Sequence, residues 1–207
     1  MKWFVLGLLL AMIACNGNQQ KRKIADDELY QWAVSEGDRI SVQAQAALGG
    51  RLKQAIAEGG PTYAVEFCHL SAANILDSLS TAYSDLEVRR TTLKPRNQLN
   101  SPTELERRLL LQYQQGLERQ SEIAPHVVEI NDNQLLYSKP ILLNNPLCLN
   151  CHGNVQNQIS SETYQVILQH YPTDQAIDFK LGDLRGIWSI KFNRDEITSH
   201  YLQSLKD

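Results

Sequence analysis

The stretch Cys148-Leu149-Asn150-Cys151-His152 constrains this 207-residue chain more than any other. Two cysteines separated by two residues and followed at once by histidine form the attachment sequence of a c-type haem. In that chemistry both thiols form thioether bonds to the haem vinyl groups, and the histidine becomes an axial ligand of the iron. The sequence therefore predicts one covalent haem c, held by Cys148 and Cys151, with His152 on the iron.

Other interpretations of this cysteine pair have less support in the sequence. A zinc site needs a second pair of Cys or His ligands at matching spacing, and no other stretch of the sequence offers one. A thioredoxin-type pair follows a strand and opens a long helix, whereas Pro146 precedes this pair and Gly153 follows it. A disulfide between Cys148 and Cys151 is the main remaining alternative.

The N-terminus resembles a bacterial lipoprotein signal. Lys2 precedes an apolar run, Trp3 to Ile13, which is too short to span a bilayer and has the length of a signal-peptide core. Ala14-Cys15 ends the run like a lipobox, although Met12 stands where leucine is commoner. We expect a signal peptide at 1–14, a tether lipidated at Cys15 over 15–25, and the haem domain at 26–207. The protein would then be periplasmic or otherwise extracytoplasmic and anchored to a membrane by its acyl chains.

Cysteine and methionine usage narrows the choice of a second iron ligand. With the other three cysteines assigned to lipid and haem, Cys68 has no disulfide partner. The only methionines, Met1 and Met12, lie in the expected signal peptide, so the mature chain cannot form a His/Met pair on the iron. The residues alone leave Cys68 as either a small buried hydrophobe or an iron ligand.

The overall charge argues against one class of partner. The formal net charge is −3, and no dense basic tract gives the electrostatic footprint of a nucleic-acid-binding protein. The short basic run Lys21-Arg22-Lys23 could contact anionic lipid, but three charges add only a little to membrane binding. The sequence does not identify a redox partner or a signalling partner.

Hydrophobic spacing predicts helices in the first half of the chain and an antiparallel sheet in the second. A helical pattern starts near Asp26, stops at Gly59-Gly60-Pro61 and resumes to about Thr81, with Cys68 on its apolar face and His69 turned away from it. A further helix runs from Ser101-Pro102 to Glu118, with Ser101 as its cap and Pro102 at its first helical position. The other elements are a hairpin of 126–130 and 135–138, a helix from Ser160 to His170 and a strand from Gly186 to Phe192. This order indicates an α+β domain.

Several segments together resemble a bacterial family of single-haem c-type proteins with a PAS-like α/β fold, a family catalogued as a domain of unknown function. The matching segments are the helix holding Cys68, Arg89 to Asn97, Tyr137 to Ile141, Cys148 to Gly153 and Gly182 to Ile190. The resemblance implies an antiparallel sheet flanked by helices, with long helices at the N-terminus. It also implies that His152 and the thiolate of Cys68 are the two axial ligands. His69 is the alternative to Cys68, because a modest rotation of the helix would bring it over the iron.

Arginines near the matching segments are candidates for contacts with the haem propionates, because a guanidinium group matches the geometry of a carboxylate. We single out Arg96 and Arg185 for this role; the alternative for Arg96 is a solvated basic loop.

Two functional classes fit these features. The first is a haem sensor-like module that responds to redox state or to a small gas, and the second is an electron-transfer cytochrome of low potential, because a thiolate ligand stabilises ferric iron. Enzymatic haem chemistry requires an open iron position and a distal acid or base, which the sequence does not identify. No catalytic residue is therefore predicted.

Overall fold

An antiparallel sheet packed between helices forms the core of the protein. The computed structural model describes residues 13–79 and 86–205, with the side chains of residues 27–67, 69 and 86–205. In chain order the elements are α1 (Ile13–Leu79), β1 (Glu87–Thr91), α2 (Glu104–Glu118), β2 (His126–Asn131), β3 (Gln134–Leu142), α3 (Leu149–His152), α4 (Ser161–His170), β4 (Leu184–Asn193) and α5 (Arg194–Ser204). The predicted α+β class and PAS-like arrangement, with a long helix at the N-terminus, are confirmed.

Helix α1 consists of two helical segments joined by a break. Gly59 and Gly60 have non-helical backbone angles, and Gly60 has φ +75, a region that glycine adopts at little cost. Pro61 follows, where its missing N–H leaves no helical hydrogen bond unmade. The predicted interruption is therefore confirmed, and the second segment ends at Leu79.

The predicted helix start near Asp26 is wrong, because α1 begins at Ile13. The polar stretch between these residues contains no proline and only one glycine, and its Gln, Lys, Arg and Ala residues have high helix propensity. A lack of hydrophobic periodicity there was therefore a poor guide to backbone conformation. Residues 1–12 and the side chain of Cys15, on which the signal-peptide and lipidation predictions depend, lie outside the described part of the chain.

The sheet has the strand order β1-β4-β3-β2, and every pair is antiparallel. Asn131 pairs with Gln134 across a two-residue turn, which confirms the predicted hairpin. Strand β1 was not predicted, because Arg89 and Arg90 interrupt the alternation of apolar residues at this edge of the sheet. At Gly186 the backbones of β4 and β1 come so close that a Cβ atom would collide with the Thr91 carbonyl oxygen.

The two faces of the sheet bury different hydrophobic clusters, as the alternation of side chains along a strand requires. One face packs Tyr137, Trp188 and Phe192 against α1. The other packs Leu136 and Ile187 against α2. Among the described helices, none has an apolar stretch long enough to cross a bilayer.

Two helix starts differ from the prediction. Thr103, not Ser101, caps α2, and it forms a capping box with Glu106, so Pro102 precedes the cap. Helix α5 was not predicted, because Ile197 is its only fully buried residue and its apolar pattern is weak. Asn193 caps that helix by accepting hydrogen bonds from the backbone N–H groups of Asp195 and Glu196.

Candidate functional site

The Cys-x-x-Cys-His motif lies where the central strands β3 and β4 meet at one end of the sheet. Beyond the last residue of β3, Leu143 N–H donates to the Asp183 carbonyl oxygen and Gly182 N–H donates to the Leu143 carbonyl oxygen, both at 3.0 Å. A 3₁₀ turn, Pro146–Cys148, then leads directly into α3. Asn145 caps that turn through its side-chain oxygen, which accepts from Leu147 N–H at 2.9 Å. The end of the sheet thus fixes the start of the motif.

The two motif cysteines are partly buried, and they contact different parts of the protein. Cys148 packs against Leu143, Ala176 and Phe179. Cys151 packs against the hydrophobic cluster of Val65 in α1, Ile159 just before α4 and Ile167 in α4. The motif therefore lies between the end of the sheet and the pair of helices α1 and α4.

His152 is held by a hydrogen bond to the main chain. Its Nδ1 lies 2.8 Å from the Ala176 carbonyl oxygen, which can only accept, so Nδ1 carries the proton and the lone pair is on Nε2. The Phe179 and His152 rings are nearly perpendicular to each other in a T-shaped pair, with ring centres 6.2 Å apart. Burial and the nearby guanidinium groups of Arg185 and Arg96 hold the pKa of His152 well below its usual range. A neutral imidazole with one nitrogen fixed and the other free has the form of a metal ligand.

The segment of residues 173–179 supplies this hydrogen-bond acceptor and lies along the motif. Phe179 N–H donates to the His152 carbonyl oxygen and Asp178 N–H donates to the Gly153 carbonyl oxygen, both at 2.9 Å. Arg96 holds the other end of the segment through an ion pair with Asp174, at 3.1 Å. The sequence predicted no role for the 173–179 segment, because no motif marks a main-chain acceptor.

Arg185 is a buried cation whose described partners are neutral. Its Nη1 donates to the Thr92 hydroxyl at 3.1 Å and to the Lys94 carbonyl oxygen at 3.3 Å. Among the described side chains, those of residues 27–67, 69 and 86–205, no carboxylate forms an ion pair with it. Burial, together with the charges of Arg96 and Arg90, lowers the pKa of Arg185 to about 9. The site therefore has an excess of positive charge beside His152.

The described candidates for the second iron ligand differ in their surroundings. His69 is exposed, its Nδ1 lies 3.0 Å from the Tyr171 hydroxyl, and its ring stacks on His170 with centres 4.4 Å apart. Cys68 lies in the same helix, but its side chain lies outside the described part of the chain. The prediction that Cys68 binds the iron therefore stays a prediction. Among the described residues, no group of three or more Cys, His, Asp or Glu side chains could hold a metal ion.

Fold and site together define a class of protein: an α+β domain with Cys-x-x-Cys-His at the end of an antiparallel sheet. The family model described as Tll0287-like matches residues 13–193, so this chain belongs to the Tll0287-like family. Its fold is similar to that of the cyanobacterial heme-protein Tll0287, known from a crystal structure. The two share 23% identity and a TM-score of 0.52, over 86% of this chain and 95% of the other. None of the curated proteins compared with the chain matches it significantly.

Proposed function

We propose that this protein carries one covalent haem c, attached to Cys148 and Cys151, with His152 as an axial ligand of the iron. The hydrogen bond between His152 Nδ1 and the Ala176 carbonyl oxygen carries this proposal, because it leaves Nε2 unprotonated for the metal. The solved protein of similar fold is a heme-protein, which agrees with the assignment.

The surroundings of the motif fit the chemistry of a haem. Apolar side chains contact both cysteines, as the hydrophobic face of a porphyrin requires. Arg185 provides a buried guanidinium without a carboxylate partner in the described chain, and a haem propionate has the charge and geometry to neutralise it. When bound, the haem would supply one-electron redox chemistry and, if a ligand position opens, gas binding.

Cys68 is our proposal for the second axial ligand. It follows Val65 by three residues in α1, which is about 4.5 Å along a helix axis, and Val65 packs in the same cluster as Cys151. His69, the alternative, already contacts Tyr171 and His170 at the surface. These contacts support Cys68 over His69.

We further propose that the protein is a redox-responsive or gas-responsive haem module. Cys68 lies in α1, whereas the attachment motif lies between β3 and α4, so a change of ligand at Cys68 would not release the covalently bound haem. The break at Gly59-Gly60 separates the segment holding Cys68 from the part of α1 that packs on the sheet. An electron-transfer cytochrome of low potential is the alternative.

Our proposal places the protein outside the cytoplasm, anchored by a lipid on Cys15 to a membrane. The support is the order of Lys2, the apolar run and Ala14-Cys15 in the sequence. Such an anchor would present the haem domain to a signalling or redox partner at the membrane surface.

Covalent attachment is tested in a host that matures c-type cytochromes. The wild type should retain haem after denaturation and acid-acetone extraction, and its pyridine haemochrome should show a c-type spectrum at one haem per chain. Replacing both motif cysteines, Cys148→Ser with Cys151→Ser, should abolish this attachment, whereas Cys68→Ala should preserve it. Extraction of the haem from the wild type would refute the proposal.

The role of the haem is tested by a redox titration followed by carbon monoxide and nitric oxide. A sensor-like module should bind either gas rapidly in the reduced state, with a change in coordination. Six-coordinate iron that stays inert to both gases in both oxidation states would instead identify an electron carrier.

A further inference from the structure

One nitrogen atom of Arg96 contacts two other chain segments at the candidate haem site, the attachment motif and residues 173–179. Its Nη2 lies 2.5 Å from the Cys151 carbonyl oxygen, 3.1 Å from Asp174 Oδ2 and 3.3 Å from the Ala176 carbonyl oxygen. The first oxygen belongs to a residue of the attachment motif. The third is the oxygen that accepts the hydrogen bond from His152.

Asp174 makes this arrangement rigid. Its side chain is fully buried, and its two oxygens bind Arg96 Nε and Nη2 at 3.2 and 3.1 Å, which is a side-on ion pair. The same Oδ1 also accepts the Ala176 N–H at 2.8 Å. Asp174 therefore fixes both the arginine and the peptide unit that carries the acceptor of His152.

We propose that Arg96 is a positioning residue for the axial histidine rather than a ligand of a haem propionate. With Asp174 it fixes the Ala176 carbonyl against His152 Nδ1 and, through Cys151, ties that carbonyl to the backbone of the attachment motif. This inference rests on the proposed haem function and adds a mechanism for setting the properties of the iron.

The physical basis is the influence of an outer hydrogen bond on a metal ligand. A carbonyl held firmly at Nδ1 makes the imidazole more electron-rich, which stabilises ferric iron relative to ferrous iron. A guanidinium can reach Asp174, Cys151 and Ala176 together because it is planar and carries several donors. A lysine keeps the charge but cannot make the side-on pair, so the carbonyl would be held less firmly.

The test compares charge-conserving variants of two arginines in the haem-loaded full chain. Arg96→Lys is the test variant, and Arg89→Lys is its matched control. Arg89 also donates to two backbone carbonyl groups, those of Leu99 and Ser101, and it pairs with the buried Glu106 at 3.7 Å, but its described partners are remote from the motif.

With Arg96→Lys the ferric-to-ferrous equilibrium should shift about tenfold toward ferrous iron, which raises the potential by about 59 mV. The low-spin ferric EPR signal should also broaden, because the histidine samples several orientations. Arg89→Lys should leave both measurements at the wild-type values. Asp174→Asn, which keeps the shape of the side chain, should move both in the same direction as Arg96→Lys. If the lysine variant does not fold, the broadening of the EPR signal in Asp174→Asn serves as the test, because loss of charge alone does not broaden it.

The inference is overturned if Arg96→Lys reproduces the wild-type potential and EPR signal, or if Arg89→Lys causes an equal shift. A shift with Asp174→Asn while a folded Arg96→Lys keeps the wild-type values would also overturn it, because the lost charge rather than the position of the carbonyl would then be the cause. A wild type without covalent haem would refute the proposed function instead, so the two failures are distinguishable.

Discussion

The Arg185 guanidinium lies 5.5 Å from the centre of the Phe179 ring, the same ring that forms a T-shaped pair with His152. Lys94 also contacts this ring, with its Nζ 4.5 Å from the centre. Two cations and the candidate iron ligand thus share one aromatic neighbour. The described carboxylates leave Arg185 without a counter-charge. We therefore expect its positive charge to destabilise the folded protein until an anionic group binds.

Arg185→Met should therefore stabilise the haem-free protein. In the full chain with Cys148→Ser and Cys151→Ser, we expect the free energy of unfolding in urea to rise by about 1–3 kcal/mol, because a buried charge is replaced by an apolar side chain of similar length. The gain should disappear in haem-loaded protein, where a propionate supplies the counter-charge. Arg89→Met is the control and should be destabilising, because it leaves the buried Glu106 without its partner. A loss of stability with Arg185→Met would contradict this account.

Tyr113 should make the protein sensitive to alkaline pH. Its hydroxyl lies 3.0 Å from both Ser138 Oγ and His126 Nδ1, and burial raises its pKa to about 12. Because the folded state holds this proton more tightly than the unfolded state, the stabilisation is complete below about pH 10 and is lost as the pH rises through about 12.

Tyr113→Phe should lower the free energy of unfolding at pH 7 by about 1–2 kcal/mol, because buried hydrogen-bonding groups lose their partner. It should also reduce the further loss of stability between pH 10 and 12, as measured by urea unfolding across this range. The exposed Tyr63 provides the control, and Tyr63→Phe should match the wild type. An unchanged alkaline slope in Tyr113→Phe would show that this hydroxyl is not responsible.

Gly37 should be required for the packing of α1 on the sheet. A Cβ atom at this position would overlap the ring of Tyr137, which is fully buried and fixed among its neighbours. We expect Gly37→Ala to destabilise the protein by about 1–3 kcal/mol. Gly50→Ala, in the same helix but with open space around it, should instead raise the melting temperature slightly, because alanine has the higher helix propensity. Equal effects of the two substitutions would rule out the steric explanation.

Cys68→Ala should remove the second axial ligand and leave the haem attached. We expect the loss of a near-infrared thiolate-to-iron charge-transfer band from the oxidised protein and a rise in reduction potential, because a thiolate stabilises ferric iron. His69→Ala is the matched control on the adjacent residue and should leave the spectrum unchanged. If the wild type lacks the band and only His69→Ala alters the spectrum, the iron has two histidine ligands instead.

Cys15→Ser should release the protein from the membrane. The wild type should fractionate with membranes and carry an acyl mass at its N-terminus, whereas the variant should be found in the soluble fraction with its haem retained. Absence of an acyl mass from the wild type, with unchanged fractionation of the variant, would refute the lipoprotein proposal.

Local signals in the sequence are sufficient to predict much of the fold. The break at Gly59-Gly60-Pro61 and the β2–β3 hairpin depend on backbone preferences of a few adjacent residues, so both could be predicted. Strand β1 could not, because its place at the sheet edge comes from pairing with β4 and not from its own pattern. The Ser101 cap was wrong because Thr103 has the glutamate three residues later that completes a capping box.

The candidate site divides in the same way. The sequence identifies the contiguous motif of Cys148, Cys151 and His152. It does not identify Asp174, Ala176 and Phe179. Their contribution depends on a chain path that brings a segment 24 residues away against the histidine. Arg96 was identified by its charge and assigned to a propionate, whereas its described partners are protein oxygens.

The hydrogen bond of His152 is accepted by a main-chain atom, and this determines which mutations can remove or displace the acceptor. Any residue small enough for the buried position 176 supplies the same carbonyl oxygen. A substitution at Ala176 would therefore report on packing and leave the hydrogen bond itself in place, whereas a substitution at Asp174 acts on the acceptor through the Ala176 N–H. Insertion or deletion of one residue in this segment would shift the backbone and remove the acceptor. The length of this segment, together with the side chain of Asp174, should therefore be the property on which the histidine depends.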